Sequence, residues 1–395
     1  MIEKLRDLRM CLFSAIIFSV AVFLMPDISF SQQFPDCMKC HKIKVAGNYD
    51  HPTSCVSCHK EAHIRGAKFP KYLFAEKVDL CWGCHNKAMF SKKVGHPPVA
   101  KMECLSCHDV HTSDAPSLLL APMPDICFYC HDKTDFMRTS KHPPVGEGKC
   151  TGCHDAHSSK AKKLLLDDIP EVCFICHKKE KYISKEKKKH HSPVATGLCL
   201  NCHEPHSSEA QKLLLKAAPE VCYLCHDGAE FKNDFNHSPV AAGLCMSCHE
   251  PHQGNARKLL LADFPELCFM CHDKTGFYKK NAHPPVEAGM CMVCHEPHAS
   301  KDVALLYHPI TDGCLLCHPR IGKEPHATGG FTQAGHPLKN RKDTRSKYGE
   351  LSCTTCHDPH SSAYITLFKY KASKGSELCA ACHDYGKKPK TKSKK

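Results

Sequence analysis

The chain has 395 residues, among them 31 Cys and 32 His, while aromatics make up only 8% with a single Trp. Its 21 Gly and 27 Pro exclude long uninterrupted helices and wide sheets, no Gly period marks collagen, and a single apolar run excludes a polytopic membrane protein. The net charge of +13 would ordinarily suggest an anionic partner such as nucleic acid, and so many cysteines fit a reducing cytosol only if something caps them.

Residues 1–31 read as a secretory signal peptide. Lys4, Arg6 and Arg9 precede an apolar run from Cys11 to Met25, followed by Pro26 and the small residues Ser29 and Ser31 before Gln32. The run is short for a membrane span, and Cys11 precedes it, unlike a lipoprotein cysteine. The competing reading is an uncleaved anchor. Cleavage leaves 30 cysteines in the mature chain.

All 30 fall into one pattern, C-x-x-C-H, repeated 15 times. In chain order these are Cys37, Cys40, His41; Cys55, Cys58, His59; Cys81, Cys84, His85; Cys104, Cys107, His108; and Cys127, Cys130, His131. There follow Cys150, Cys153, His154; Cys173, Cys176, His177; Cys199, Cys202, His203; Cys222, Cys225, His226; and Cys245, Cys248, His249. The last five are Cys268, Cys271, His272; Cys291, Cys294, His295; Cys314, Cys317, His318; Cys353, Cys356, His357; and Cys379, Cys382, His383. Cysteines three apart lie on one face of a helical turn, where they can form two thioethers to a porphyrin. The His that follows then reaches the iron from the same side, so the pattern predicts covalent haem c, about 15 per chain. Zinc ribbons need no following His, thioredoxin-like pairs occur singly, and disulfide scaffolds do not repeat one spacing. The haem propionates offset the surplus of Lys and Arg and leave the oxidised protein close to neutral, so nucleic acid is not expected as a partner.

The motifs recur in steps of 46 residues, from Cys81 to Cys127 to Cys173 and from Cys222 to Cys268 to Cys314, with two motifs per step. Such a period implies stacked similar modules. Residues 32–305 read as repeated two-haem modules, 306–385 as C-terminal haem modules with a longer loop, and 386–395 as a disordered basic tail. Pro170-Glu171, Pro219-Glu220 and Pro265-Glu266 suit helix starts, which places their motifs on short helices. The Pro-rich segments between are expected to be extended turns. The Leu triplets at 118–120, 164–166, 213–215 and 259–261 are expected to pack on haem faces or on the next module. The lysines from Lys178 to Lys189 and the Gly-rich, basic stretch from Gly322 to Glu350 read as solvated loops, with a docking patch as the alternative. The expected fold is mostly irregular with short α-helices: a haem-packed, elongated multihaem cytochrome c built from repeated two-haem modules.

After the fifteen proximal His, seventeen remain. Seven precede the second unit of a pair: His51, His96, His142, His191, His237, His283 and His336. Each begins an H-P or H-[SP]-P run. Seven follow a motif closely: His63, His111, His157, His206, His252, His298 and His360. Two recurring registers point to distal ligands. The second class lies on the wrong face of its own haem and is expected to reach a neighbouring one, tying modules together. His190, His308 and His326 are left over. The fifteenth distal ligand is His308 or His326, with His308 preferred because Tyr307-His308-Pro309 resembles the His-Pro class. Bis-His iron has no vacant site and a lowered potential, so electron transfer is expected and no catalytic residue is assigned.

The repeat C-x-x-C-H…H-[PS]-P-V…C-x-x-C-H-[DE]-x-H resembles the doubled C-x-x-C-H family of bacterial multihaem c-type cytochromes. Cys222, Cys225, His226, His237, Cys245, Cys248, His249 and His252 carry the resemblance, with their counterparts elsewhere from Gln32 to Tyr385. It implies an exported, low-potential electron-transfer protein with bis-His haems. More distantly the chain is similar to the periplasmic decahaem cytochromes that plug an outer-membrane porin, from which its haem count departs. The expected role is a periplasmic conduit between redox proteins: an inner-membrane quinol-linked donor and an outer-membrane or periplasmic acceptor. No stable membrane insertion is expected after signal cleavage. The alternatives are an extracellular cytochrome wire that polymerises and a multihaem reductase with one open haem.

Overall fold

The computed structural model describes residues 47–51, 54–59, 73, 75, 77–186, 189–321, 323, 342–343, 347–371 and 375–383. The signal peptide 1–31, the motif of Cys37, Cys40 and His41, the histidines His63, His326 and His336, and the tail 386–395 lie outside them. Most of the described chain is irregular, with short helices, 3₁₀ turns and two-residue strands. It divides into two compact units, one up to Ile126 and one from Cys127.

Within the second unit one module recurs, and residues 191–231 illustrate it. His191 stands immediately before the helix Ser192–Ala195, whose Pro193 supplies a pre-set φ in the first turn. The same arrangement gives Pro143–Gly146 after His142, Ser238–Ala241 after His237 and Pro284–Glu287 after His283. The His-Pro segments are therefore helical starts, where extended turns were expected. Proline suits the first helical turn because the N–H it lacks has no partner there anyway. The chain then turns at Gly197 with φ +73, and a Cβ there would lie 2.9 Å from Pro170 Cδ of the preceding module. Gly243 against Pro219 and Gly289 against Pro265 repeat this close approach. Only glycine combines that backbone region with that space.

The first motif follows as a 3₁₀ turn, Cys199–Asn201. Beyond it, Lys212 and Leu213 both have φ +56, and this left-handed pair recurs at Lys163-Leu164, Lys258-Leu259, Ala304-Leu305 and Thr366-Leu367. Two adjacent non-glycine residues in that region are costly, so bonds elsewhere must hold them. Those bonds run back to the motif. Glu204 N–H donates to Leu213 O at 2.8 Å and Leu215 N–H to Cys202 O at 2.8 Å. The Leu triplet thus supplies a backbone clamp, and its third residue is exposed at Leu166, Leu215 and Leu261. The second motif lies on the short helices Glu171–Phe174 and Glu266–Phe269, with Pro170 and Pro265 one position outside them. After Pro219-Glu220 only the 3₁₀ turn Cys222–Leu224 forms.

Modules are stitched by antiparallel pairs of two residues. Ser140–Lys141 pairs with Ser207–Ser208, Lys189–His190 with Gln253–Gly254, Phe235–Asn236 with Ala299–Ser300 and Asn281–Ala282 with Ser361–Ser362. These seams are polar, and their buried hydroxyls are satisfied. Ser207 is fully buried, donates to Asp135 O at 2.9 Å and accepts from Arg138 N–H at 3.2 Å. Ser361 does the same with Gly276 O and Lys279 N–H. A satisfied hydroxyl costs little to bury, an unsatisfied one several kcal/mol at the high end of about 2–7. Among the described residues the buried apolar side chains are few and mostly small, such as Ala161, Val172, Val221 and Ala256.

The unit up to Ile126 contains the same parts. Tyr49–Asp50 pairs with Thr112–Ser113, the helix Pro97–Ala100 follows His96, and Ser117-Leu118 is left-handed. Lys179 in the lysine-rich stretch contacts Glu171 at 2.8 Å, both half-exposed. Among the described residues no helix is long and apolar enough to cross a membrane.

Candidate haem centres

Each strand pair ends on two histidines. His142 N–H donates to His206 O at 3.0 Å, and the same bond joins His191 to His252, His237 to His298, His283 to His360 and, in the first unit, His51 to His111. One member of each couple comes from the His-Pro register and the other from the register after a motif. The clamp holds the two backbones together, while the two rings turn to different motifs.

The His-Pro ring faces the second-motif His of its own module. His142 and His177 have ring centres 6.1 Å apart with planes 17° from parallel. His191–His226 and His237–His272 match at 6.2 and 6.1 Å, His283–His318 at 6.2 Å. In the first unit His51–His85 has centres 6.3 Å apart but planes at 48°. The other ring faces the first-motif His of the preceding module: His206 with His154 at 6.0 Å, His252 with His203 at 6.1 Å, His298 with His249 at 6.2 Å, His360 with His295 at 5.9 Å. His111 stands 6.5 Å from His59.

That spacing tests the fit of an iron porphyrin. A metal–imidazole nitrogen bond is about 2 Å, and the nitrogen lies roughly 1 Å from its ring centre, so two rings on opposite sides of one iron have centres about 6 Å apart. The ring nitrogens fit too. Nδ1–H of His142 donates to Pro205 O at 3.1 Å, that of His237 to Pro297 O at 2.9 Å and that of His283 to Pro359 O at 3.0 Å. This fixes the tautomer that leaves Nε2 as the metal-binding atom. First-motif rings are held likewise, by the left-handed turn: His154 on Lys163 O at 2.9 Å, His203 on Lys212 O at 3.1 Å, His249 on Lys258 O at 3.0 Å. Burial keeps His142, His191, His203, His206, His298 and His360 below the ordinary imidazole range, hence neutral and able to ligate at pH 7. Among the described residues no three His, Cys, Asp or Glu converge as a metal site of their own. Histidines in twos suit a macrocycle that itself supplies four nitrogens. Apolar side chains inside the motifs, Leu105, Ile175, Met270 and Leu316, stand exposed.

The other assigned histidines are placed less fully. His96 and His157 lie at the corresponding positions of their repeats, before Pro97–Ala100 and three residues after His154. His131 ends the second motif that begins with the turn Cys127–Tyr129. His308 is exposed, and no imidazole faces it among the described residues. His190, beside the ligand position His191, has a buried Nε2 with no hydrogen-bond partner.

A set of aromatics also belongs to these centres and escaped the motif reading. Phe136 stands edge-on to His206 with centres 5.0 Å apart, Tyr182 to His252 at 5.2 Å and Phe231 to His298 at 5.1 Å, while Phe277 tilts against His360 at 4.8 Å. Each sits five residues after a second-motif His, a regularity visible once the repeats are aligned.

Serial C-x-x-C-H turns with opposed imidazoles define a multihaem protein of the c type. The chain matches the doubled CXXCH motif family over residues 50–90, 96–136, 142–182, 191–231, 237–277, 283–323 and 347–388, most of its length, and it belongs to that family. Seven doubled motifs carry about fourteen sites for covalent haem c. It is 34% identical over 95 residues to the multiheme cytochrome MtrA of Shewanella baltica (strain OS185), a match that covers 22% of this chain and 28% of that protein.

Proposed function

We propose that the chain is an exported electron conduit in which fifteen bis-His haems, attached in sequence order, pass electrons from end to end. Bound haem supplies the one-electron ferric/ferrous couple. The observation that carries the reading is the proximity of successive attachment cysteines. Cys173 is in hydrogen-bond contact with Cys199, Cys222 with Cys245, Cys268 with Cys291 and Cys314 with Cys353. Cys153, Cys202, Cys248 and Cys294 lie close enough to Cys176, Cys225, Cys271 and Cys317 to repel them as thiolates. Burial, then Cys291, pushes the Cys268 thiol up to about 11. In the first unit Cys81 stands likewise between Cys58 and Cys104. These consecutive motifs are neighbours in space as in sequence.

The role of the protein is to hold the rings. The clamp at His191–His252 seats one ligand for each of two consecutive haems, those of Cys199 and Cys222, and one of these ligands is lent by the next module. For the fifteenth distal ligand His326 is preferred over the exposed His308. Glu324-Pro325-His326 repeats the Glu-Pro-His triplets at 204–206, 250–252 and 296–298. The periplasm is the proposed location, with redox proteins as donor and acceptor. The test injects electrons from a ruthenium photosensitiser attached near Lys395. Bleaching that spreads through all fifteen haems, and slows when Cys222 and Cys225 are changed to Ala, is expected. Reduction confined to the haems nearest the label would overturn the conduit. A stoichiometric CO-binding haem in the unmodified protein would point to a reductase instead.

A further inference from the structure

The residue after six of the seven first motifs is acidic, Asp109, Asp155, Glu204, Glu250, Glu296 and Asp358, while Lys60 follows the motif of Cys55. In each acidic case the carboxylate accepts the backbone N–H of the distal-register His two residues on. The distances run from 2.8 Å for Asp109 to 3.5 Å for Glu204. The longer glutamates do more. Glu250 Oε1 also takes Nδ1–H of His252 at 3.2 Å, and Glu296 and Glu204 stand 3.4 and 3.5 Å from Nδ1 of His298 and His206. At Asp109 the ring nitrogen of His111 is 3.8 Å away, beyond hydrogen-bond reach.

We propose that Glu204, Glu250 and Glu296 are positioning residues that lower the reduction potential of the haems held at Cys150, Cys199 and Cys245, one module upstream of each glutamate. A carboxylate on Nδ1–H gives the imidazole anionic character, strengthens its donation to iron and favours the ferric state. The proximal side adds to this, because His154, His203 and His249 already donate Nδ1–H to a carbonyl of the left-handed turn. Second-motif haems differ on both sides. Their distal rings donate to neutral proline carbonyls, and among the described residues no protein acceptor faces the rings of His177, His226 and His272. Burial works the other way, since a half-buried first-motif His favours the less charged ferrous centre. The distal rings of both sets are half-buried alike, so a full charge in contact outweighs that difference. Potentials therefore alternate along that stretch, low at Cys150, Cys199 and Cys245 and higher at Cys173, Cys222 and Cys268.

The inference rests on bis-His coordination, which EPR tests independently. The experiment is a spectroelectrochemical titration of the haem-loaded protein carrying Glu204→Gln, Glu250→Gln and Glu296→Gln. A control carries Glu147→Gln, Glu209→Gln and Glu230→Gln, which removes as many carboxylates from places where none touches an imidazole. The low end of the envelope is expected to move upward in the first protein and to stay in the control, with EPR low-spin and the mass unchanged in both. An unmoved low end, or an equal shift in the control, would overturn the inference. High-spin signals in the unmodified protein would instead overturn the coordination. Should the Gln protein lose haem, Glu→Asp at the same three positions keeps the charge and the backbone bond while withdrawing the ring contact. It should still raise the low end, and an unchanged titration would again sink the idea.

Discussion

In three modules, 96–136, 191–231 and 237–277, the two halves begin alike and diverge two residues later. After the first motif an acid accepts the N–H of residue i+2, as Glu250 does from His252. After three of the second motifs an Asp does the same: Asp132 from Thr134, Asp227 from Ala229, Asp273 from Thr275. The local turn is one and the same side-chain-to-backbone motif. What differs is the passenger. In the first half residue i+2 is the histidine whose ring faces a motif of the preceding module. In the second it opens a 3₁₀ turn, Gly228–Phe231 for example, that ends on the aromatic braced against a distal ring. One half hands an imidazole backward, and the other steadies an imidazole handed to it.

The comparison breaks most sharply at the ligands. His252→Ala is expected to open the haem at Cys199, upstream of its own module, whereas His237→Ala opens the haem at Cys268 within its own module. Each variant should keep its full haem mass and gain about one high-spin, CO-binding equivalent, read by EPR and CO titration. Changing Cys199 and Cys202 to Ala in the His252 variant should abolish that equivalent, and in the His237 variant should not. Next in size is Phe231→Ala. Phe231 is half-buried against His298, so a loss of about 1–3 kcal/mol is expected, below the range of a core Phe. It would appear as a lower midpoint for thermal loss of the low-spin spectrum. A smaller effect attaches to the left-handed turn. Lys212→Ile should cost about 1–2 kcal/mol, because a β-branched side chain tolerates φ +56 worse than Lys. Lys212→Gly relieves strain but loses about 0.5–1 kcal/mol to entropy, so its denaturation midpoint should barely move.

Much of this was legible in the sequence. Fifteen identical motifs and two registers of spare histidine point to the candidate ligand atoms, because thioether and axial chemistry demands fixed local spacing, and the rings of several of these histidines face one another in the structure. The family and the largely irregular fold follow from them. Which ring meets which was not legible, since His154 and His206 meet only through a two-residue strand pair between distant segments. The left-handed turns were hidden because Lys212-Leu213 carries no glycine to announce them. His-Pro looked like an extended turn, because proline at a helix start and proline in a loop share the same φ, and only the downstream hydrogen bonds decide. His308 was attractive for its neighbouring proline, yet no helix capped by that histidine follows it. The helix there, Ile310–Cys317, starts after Pro309 and carries the motif itself.

The smallest effect sharpens the comparison at its origin. The bond from the Thr275 hydroxyl, then that from its N–H, holds the Asp273 carboxyl below the usual carboxylate range, and the group is fully exposed. A carboxyl whose folded value is depressed stabilises the fold above its unfolded value of about 3.9, and that contribution disappears as pH falls through the lower folded value. Asp273→Ala should therefore lower the thermal midpoint slightly at pH 7, and the two curves should converge in acid. Asp273→Asn, which still accepts from Thr275, should retain most of the midpoint and lose the pH dependence. Glu250→Ala at the equivalent position should behave differently. Its loss should register in the redox titration as well as in the midpoint, because the N–H it caps belongs to a ligand. An Asp273→Ala protein whose potentials move as far as those of Glu250→Ala would erase the distinction between the two halves.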